Sequence, residues 1–222
     1  MKAERTSPIR GIIFDLDGTL IDSYVPIMES LNHVRQSYGL GPYALDEVKR
    51  MVGRGLEMLI AHAVGEEHVR RGVEIFREMY GRIFLDKTTL MPGARETVLS
   101  LSRKGYLMAV TSNKPSYFTA EILRSHGLIE YFKSVLGPDN SPRPKPDPEM
   151  VEMALRDMSL TKDEVVYVGD MMIDIETCRR AGIRIFAVSG GSCTREELER
   201  ASPDMLFSSL QEIDRFLRPG TC

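Results

Sequence analysis

Ile9-Arg10-Gly11-Ile12-Ile13-Phe14-Asp15-Leu16-Asp17-Gly18-Thr19-Leu20 decides how this chain is read. A short apolar run ends directly in two carboxylates and a glycine. On an extended segment, residues i and i+2 point the same way, so Asp15 and Asp17 share one side. Held close, two carboxylates repel unless a cation neutralises them. Gly18 lets the backbone turn back over them. The arrangement suits one carboxylate as nucleophile and the other as acid/base, with a hard divalent metal between them. Asp-x-Asp-Gly alone is also what an ordinary turn after a strand looks like. The Thr19-Leu20 continuation behind an apolar run makes the string much more specific.

Outward from this string, short β-branched runs at 106–110, 134–136, 165–168 and 183–188 join 9–14 as strand candidates. Helical patterns at 94–104, 116–126 and 148–158 separate most of them. That alternation predicts an α/β fold with a parallel sheet and right-handed crossovers, its site beyond the carboxyl ends of the strands. One interval breaks the rhythm. Between 24 and 87 the pattern is helical throughout, at 25–38, 45–52, 56–64 and 67–84. It is bounded by glycines and by Met91-Pro92-Gly93, a stop-and-turn signal. The expected division is a catalytic core of 1–22 and 88–222 with a helical insertion at 23–87 covering the site.

Three more motifs follow strand candidates. Val110-Thr111-Ser112-Asn113-Lys114-Pro115 offers a hydroxyl and free backbone N–H groups at a helix start, which suit a phosphoryl oxygen. The same string is also a common helix cap. In Ser141-Pro142-Arg143-Pro144-Lys145-Pro146-Asp147-Pro148, alternating prolines hold the chain extended until Asp147 caps a helix. A lysine in so stiff a loop is positioned with little entropy left to lose, and Lys145 can pair with Asp15 and a transferring phosphoryl group. Val168-Gly169-Asp170-Met171-Met172-Ile173-Asp174 places two carboxylates one turn apart near a helix start.

Composition bounds the function classes. A net charge of -3 gives no field for nucleic acid or an anionic membrane surface. No apolar run approaches the ~18 residues of a membrane span. The opening stretch from Met1 to Pro8 is polar, unlike a secretory signal. Cys178, Cys193 and Cys222 have no metal-ligand spacing and are expected as free thiols, which suits a cytoplasmic location. The four histidines do not cluster.

The four motifs, in this order and spacing, resemble the signatures of the haloacid dehalogenase superfamily across nearly the whole chain. The resemblance implies a Rossmann-like core with a helical cap, using Mg2+ and acting on a small-molecule phosphate ester. By position it implies Asp15 as nucleophile and metal ligand, and Asp17 as acid/base with its carbonyl on the metal. It implies Ser112 as the phosphate-binding hydroxyl with Thr111 as the fallback, and Asn113 beside it is expected to bind substrate as well. It implies Lys145 as the charge-stabilising lysine, Asp170 as the second metal carboxylate and Asp174 as an outer acid. A dehalogenase lacks the second aspartate of the first motif, so Asp17 points to phosphoryl transfer. Within the superfamily the chain is most similar to bacterial phosphoglycolate phosphatases, through Met51-Val52-Gly53-Arg54-Gly55-Leu56 among other strings. Arg54 is the one charge in that loop and is expected to read a substrate carboxylate. The rivals are a sugar-phosphate mutase of the β-phosphoglucomutase kind and a non-catalytic ligand-binding protein on the same fold.

Overall fold

The structure, a computed structural model, describes residues 8–218. Six parallel strands form one sheet: β1 (Gly11–Phe14), β4 (Leu107–Thr111), β5 (Ser134–Leu136), β6 (Val165–Gly169), β7 (Arg184–Val188) and β8 (Met205–Phe207). Their spatial order is β5-β4-β1-β6-β7-β8. The strands are apolar because both faces are covered. Ile12 and Phe14 enter one core cluster while Ile13 enters the other, as the alternation of side chains requires. Helices α5 (Ala94–Arg103), α6 (Ser116–Ser125), α7 (Glu149–Met158) and α8 (Met172–Ala181) make the crossovers. The short α9 (Arg195–Arg200) and α10 (Leu210–Phe216) close the chain's last turns.

After β1 the chain builds outward through β4 and β5, then returns to β1's other side for β6, β7 and β8. Strand order therefore reverses at β1, and a crevice opens beyond its carboxyl end. Phe14 pairs with Val110 of β4 and with Val168 of β6. That register sets the residues following these three strands side by side.

Between β1 and α5 lie four helices: α1 (Tyr24–Ser37), α2 (Leu45–Met51), α3 (Leu56–Val64) and α4 (Val69–Lys87). The segment leaves and re-enters through an antiparallel pair, β2 (Ile21–Asp22) with β3 (Thr89–Leu90). Its apolar face, including Leu31, Ile60 and Phe76, is continuous with one of the two core clusters.

The expected strands and helices are present, with ends shifted by a residue or two. Three departures have local causes. The helix expected over 67–84 begins as a 3-10 turn at Glu66–His68 and continues as α4 to Lys87. The strands β2 and β3, two residues each, are too short to carry a period. β8 is held in register by β7, pairing Phe186 with Met205 and Val188 with Phe207, a tertiary cause that local pattern does not carry.

Candidate active site

The ends of β1, β4 and β6 converge on one group of buried side chains. Asp15, Asp17, Lys145, Asp170 and Asp174 are all under a tenth exposed. Lys145 Nζ donates to Asp15 Oδ1 and to Asp174 Oδ1, both at 2.7 Å. Each motif read from the sequence thus contributes to one constellation, assembled from residues up to 159 positions apart.

Lys145 is fixed at both its backbone and its head. Asn113 Oδ1 accepts from the Lys145 N–H at 2.9 Å, and Asn113 Nδ2 donates to the Lys145 carbonyl at 3.0 Å. The same amide donates to the Gly53 carbonyl at 2.9 Å, tying the helical segment to the core. Below the ammonium, the Tyr167 hydroxyl lies 3.1 Å from Nζ and 2.9 Å from Thr111 Oγ1. Burial holds that phenol in its neutral form.

Asp170 is held by two donors. Thr19 Oγ1 donates at 2.7 Å and the Ser192 N–H at 2.6 Å. The loops carrying those donors come close only because they lack side chains. A Cβ on Gly18, whose φ is +87°, would lie 2.3 Å from Asp170 Oδ2, and one on Gly191 would lie 2.1 Å from it. Asp174 closes the start of α8, accepting from the Met171 N–H at 3.0 Å.

Asp17 turns away from this acidic group. Its Oδ1 accepts from Lys114 Nζ at 2.7 Å and from the Ser23 hydroxyl. Lys114 also donates to the Tyr80 hydroxyl of α4 at 2.8 Å. Burial opposes the charged form of Lys114, yet Asp17 and Tyr80 more than offset it and raise its pKa. The same balance, with Asp15 and Asp174 as the partners, raises Lys145.

The hydroxyl pair that sequence left open divides cleanly. Ser112 lines a cavity between the core and the helical segment, together with Asp15, Asp17, Asn113, Lys114 and Lys145. Thr111 faces Tyr167 below the site instead. Val52, Gly53 and Gly55 also line the cavity, while Arg54 between them is exposed and makes no side-chain hydrogen bond or ion pair among the described residues. Cys178 and Cys193 are free thiols, and Cys222 lies outside the described residues.

Sequence reading missed Ser23, Lys114, Tyr167 and Ser192. Tyr167 carried a signal: a phenol amid Val165, Val166 and Val168, on a strand covered on both faces, must find a polar partner. Ser23 and Ser192 carried none, since only tertiary folding brings them to the carboxylates. Asp139 caps the start of α6, its Oδ1 accepting from the Ser116 N–H and its Oδ2 from the Ser116 hydroxyl at 2.7 Å.

Asp15, Asp170 and Asp174 offer carboxylate oxygens that lie within 4.8 Å of one another. One ammonium does not balance three carboxylates. Burial first, then Asp174, pushes the Asp15 carboxyl well above its usual range despite Lys145. The Asp170 carboxyl is pushed up to about 7 by burial and by Asp174. Hard oxygen donors with excess negative charge fit a divalent cation such as magnesium.

The linkage sign follows from the raised values. The folded, metal-free chain holds the proton on Asp170 longer than the unfolded chain does. This burial costs nothing at low pH and destabilises increasingly as pH rises from the ordinary carboxylate range to about 7. A divalent cation held by these carboxylates would take the place of those protons. The rise in Tm on adding magnesium is therefore expected to be larger at about pH 8 than at about pH 5. An equal rise at both, measured by thermal unfolding, would mean that the ion binds away from this cluster.

Comparison with known proteins agrees with this geometry. The model of the family "Haloacid dehalogenase-like hydrolase" matches residues 12–188. A phosphoglycolate phosphatase of Vibrio parahaemolyticus is 33% identical over 215 residues, covering 92% of this chain and 94% of its own. One from Pseudomonas fluorescens is 30% identical, covering 92% of this chain and 78% of its own. A crystal structure from Haemophilus somnus, described as a predicted phosphoglycolate phosphatase, superposes with a TM-score of 0.88 at 26% identity, over 95% of this chain and 98% of that one. By the match over residues 12–188 and by these relatives, the chain belongs to the haloacid dehalogenase-like hydrolase family.

Proposed function

We propose that the chain hydrolyses small-molecule phosphate monoesters through a phospho-aspartate on Asp15, and that phosphoglycolate is its substrate. The observation that carries this reading is the placement of Asp15. It is buried at the switch point of the sheet, 2.7 Å from the Lys145 ammonium, and it faces a cavity. The names of the relatives supply the choice of substrate.

In the proposed cycle an Asp15 carboxylate oxygen attacks phosphorus, and the bond from phosphorus to the ester oxygen breaks. Asp17 gives a proton to the departing alkoxide and later takes one from the water that hydrolyses the acyl phosphate. Lys145 and the Ser112 hydroxyl bind phosphoryl oxygens and stabilise the charge they carry in the transition state. Asn113 keeps Lys145 in place. Asp15, the Asp17 carbonyl and Asp170 would hold magnesium, with Asp174 as an outer acid. When bound, the ion supplies positive charge to the phosphoryl group. The helical segment 23–87 acts as the cap, excluding bulk water.

Asp15→Asn is expected to remove turnover, by several orders of magnitude, while leaving the fold intact. Phosphate release by a folded, undeamidated variant at near the parent rate would refute the assignment.

Arg54 is proposed to bind the substrate's carboxylate. Its neighbours on both sides line the cavity, and its guanidinium is uncommitted. Arg54→Ala is expected to lower kcat/KM for phosphoglycolate by about tenfold to a hundredfold, and to change little on an ester without a carboxylate. Equal losses on both esters would mark a general cap defect, and no loss on either would remove Arg54 from the site.

A further inference from the structure

Much of the cavity wall is hydrocarbon. Ile27 of α1, Leu56 and Leu59 of α3, Phe76 of α4, Phe118 of α6 and Met171 line it. Tyr80 adds its ring, edge-on to Phe118 with centroids 5.0 Å apart. The aromatic contacts continue through Phe84, so this wall is braced by packed side chains rather than by a loop.

Most of the polar groups lining the cavity are committed. Lys145 is shared by Asp15 and Asp174, and Lys114 by Asp17, Ser23 and Tyr80. The Asn113 amide is taken by the Lys145 backbone and by Gly53. The Lys114 ammonium, 5.1 Å from the centre of the Tyr80 ring, meets this wall already paired with Asp17. A heavily hydroxylated leaving group packed on these side chains would lose its water without gaining partners, whereas the carboxylate of phosphoglycolate is assigned to Arg54. A hydrocarbon one would exchange water for close-packed side chains.

We propose that the site also hydrolyses phosphate monoesters of apolar alcohols, with the alcohol's hydrocarbon seated against α1, α3, α4 and α6. The inference rests on the phospho-aspartate reading and adds a substrate class to it. Atoms balance as for any monoester. The bond from phosphorus to the alkoxide oxygen breaks as the one to Asp15 forms, and the alkoxide takes a proton from Asp17. Water then replaces Asp15 on phosphorus and returns a proton to Asp17, so the net products are alcohol and inorganic phosphate.

A series of n-alkyl phosphates from methyl to pentyl tests it, run beside phosphoglycolate with magnesium. From ethyl upward the leaving alkoxides have closely similar basicity, so changes in kcat/KM report contacts rather than chemistry. The ratio is expected to rise about twofold to fourfold with each methylene until the wall is filled. Leu56→Ser, at a half-buried wall position, should flatten that slope, and Val52→Ser serves if that variant fails to fold. A flat or falling series in protein that does hydrolyse methyl phosphate or phosphoglycolate overturns the inference and leaves the hydrolase reading standing. A slope unaltered in the folded wall variants also overturns it, since the gain then arises elsewhere. Failure to hydrolyse any ester removes the hydrolase reading and the inference with it.

Discussion

The Lys145 ammonium, buried between Asp15 and Asp174, is the interaction on which the rest of the site depends. Charges taken out of water cost several kcal/mol each unless they are paired and fully hydrogen-bonded. The surrounding structure meets that demand group by group. Asn113 holds the lysine backbone, Tyr167 supports its head, Thr19 and Ser192 supply donors to Asp170, and the start of α8 supplies one to Asp174. What remains is an excess of negative charge that a divalent cation would neutralise. Replacing one partner alone would leave a buried charge exposed to that cost, so these residues act as a unit.

The sheet makes this concentration of charge possible. Reversal of strand order at β1 leaves a gap at its carboxyl end that no crossover helix fills. The same register that pairs Phe14 with Val110 and Val168 brings Asp15 beside the ends of β4 and β6. The helical segment then completes the site from above. Gly53 accepts from Asn113, and Tyr80 accepts from Lys114, so two of the segment's hydrogen bonds to the core run through residues that also line the cavity. Its remaining lining is largely apolar, so hydrocarbon and charged side chains share the cavity wall.

Much of this was legible in the sequence because it rests on local signals. The apolar run to Phe14, the proline-held Lys145 and the Asp170/Asp174 spacing each carry their own physical reason, and the structure brings Asp15, Lys145, Asp170 and Asp174 together. The expectation that Asp15 and Asp17 share one side is not met, because Lys114 and Ser23 draw the Asp17 carboxylate away. What was not legible depends on contacts between distant segments. Nothing near Ser23 or Ser192 in the chain announces a carboxylate partner. Lys114 follows a helix-capping string, and only the approach of Asp17 and Tyr80 gives it a task. Which of Thr111 and Ser112 faces the cavity depends on where β4 ends, a one-residue question that strand patterns do not resolve; Ser112 lines the cavity and Thr111 bonds to Tyr167.

The central claim is that Asp15 carries the phosphoryl group. Borohydride reduction during steady turnover, followed by peptide mass spectrometry, tests it most directly, because an acyl phosphate is reduced to the alcohol whereas a free carboxylate is not. The account predicts homoserine at position 15 and unchanged aspartate at positions 17, 170 and 174. Reduction at another of these positions, or none at position 15 while phosphate is being released, would contradict it.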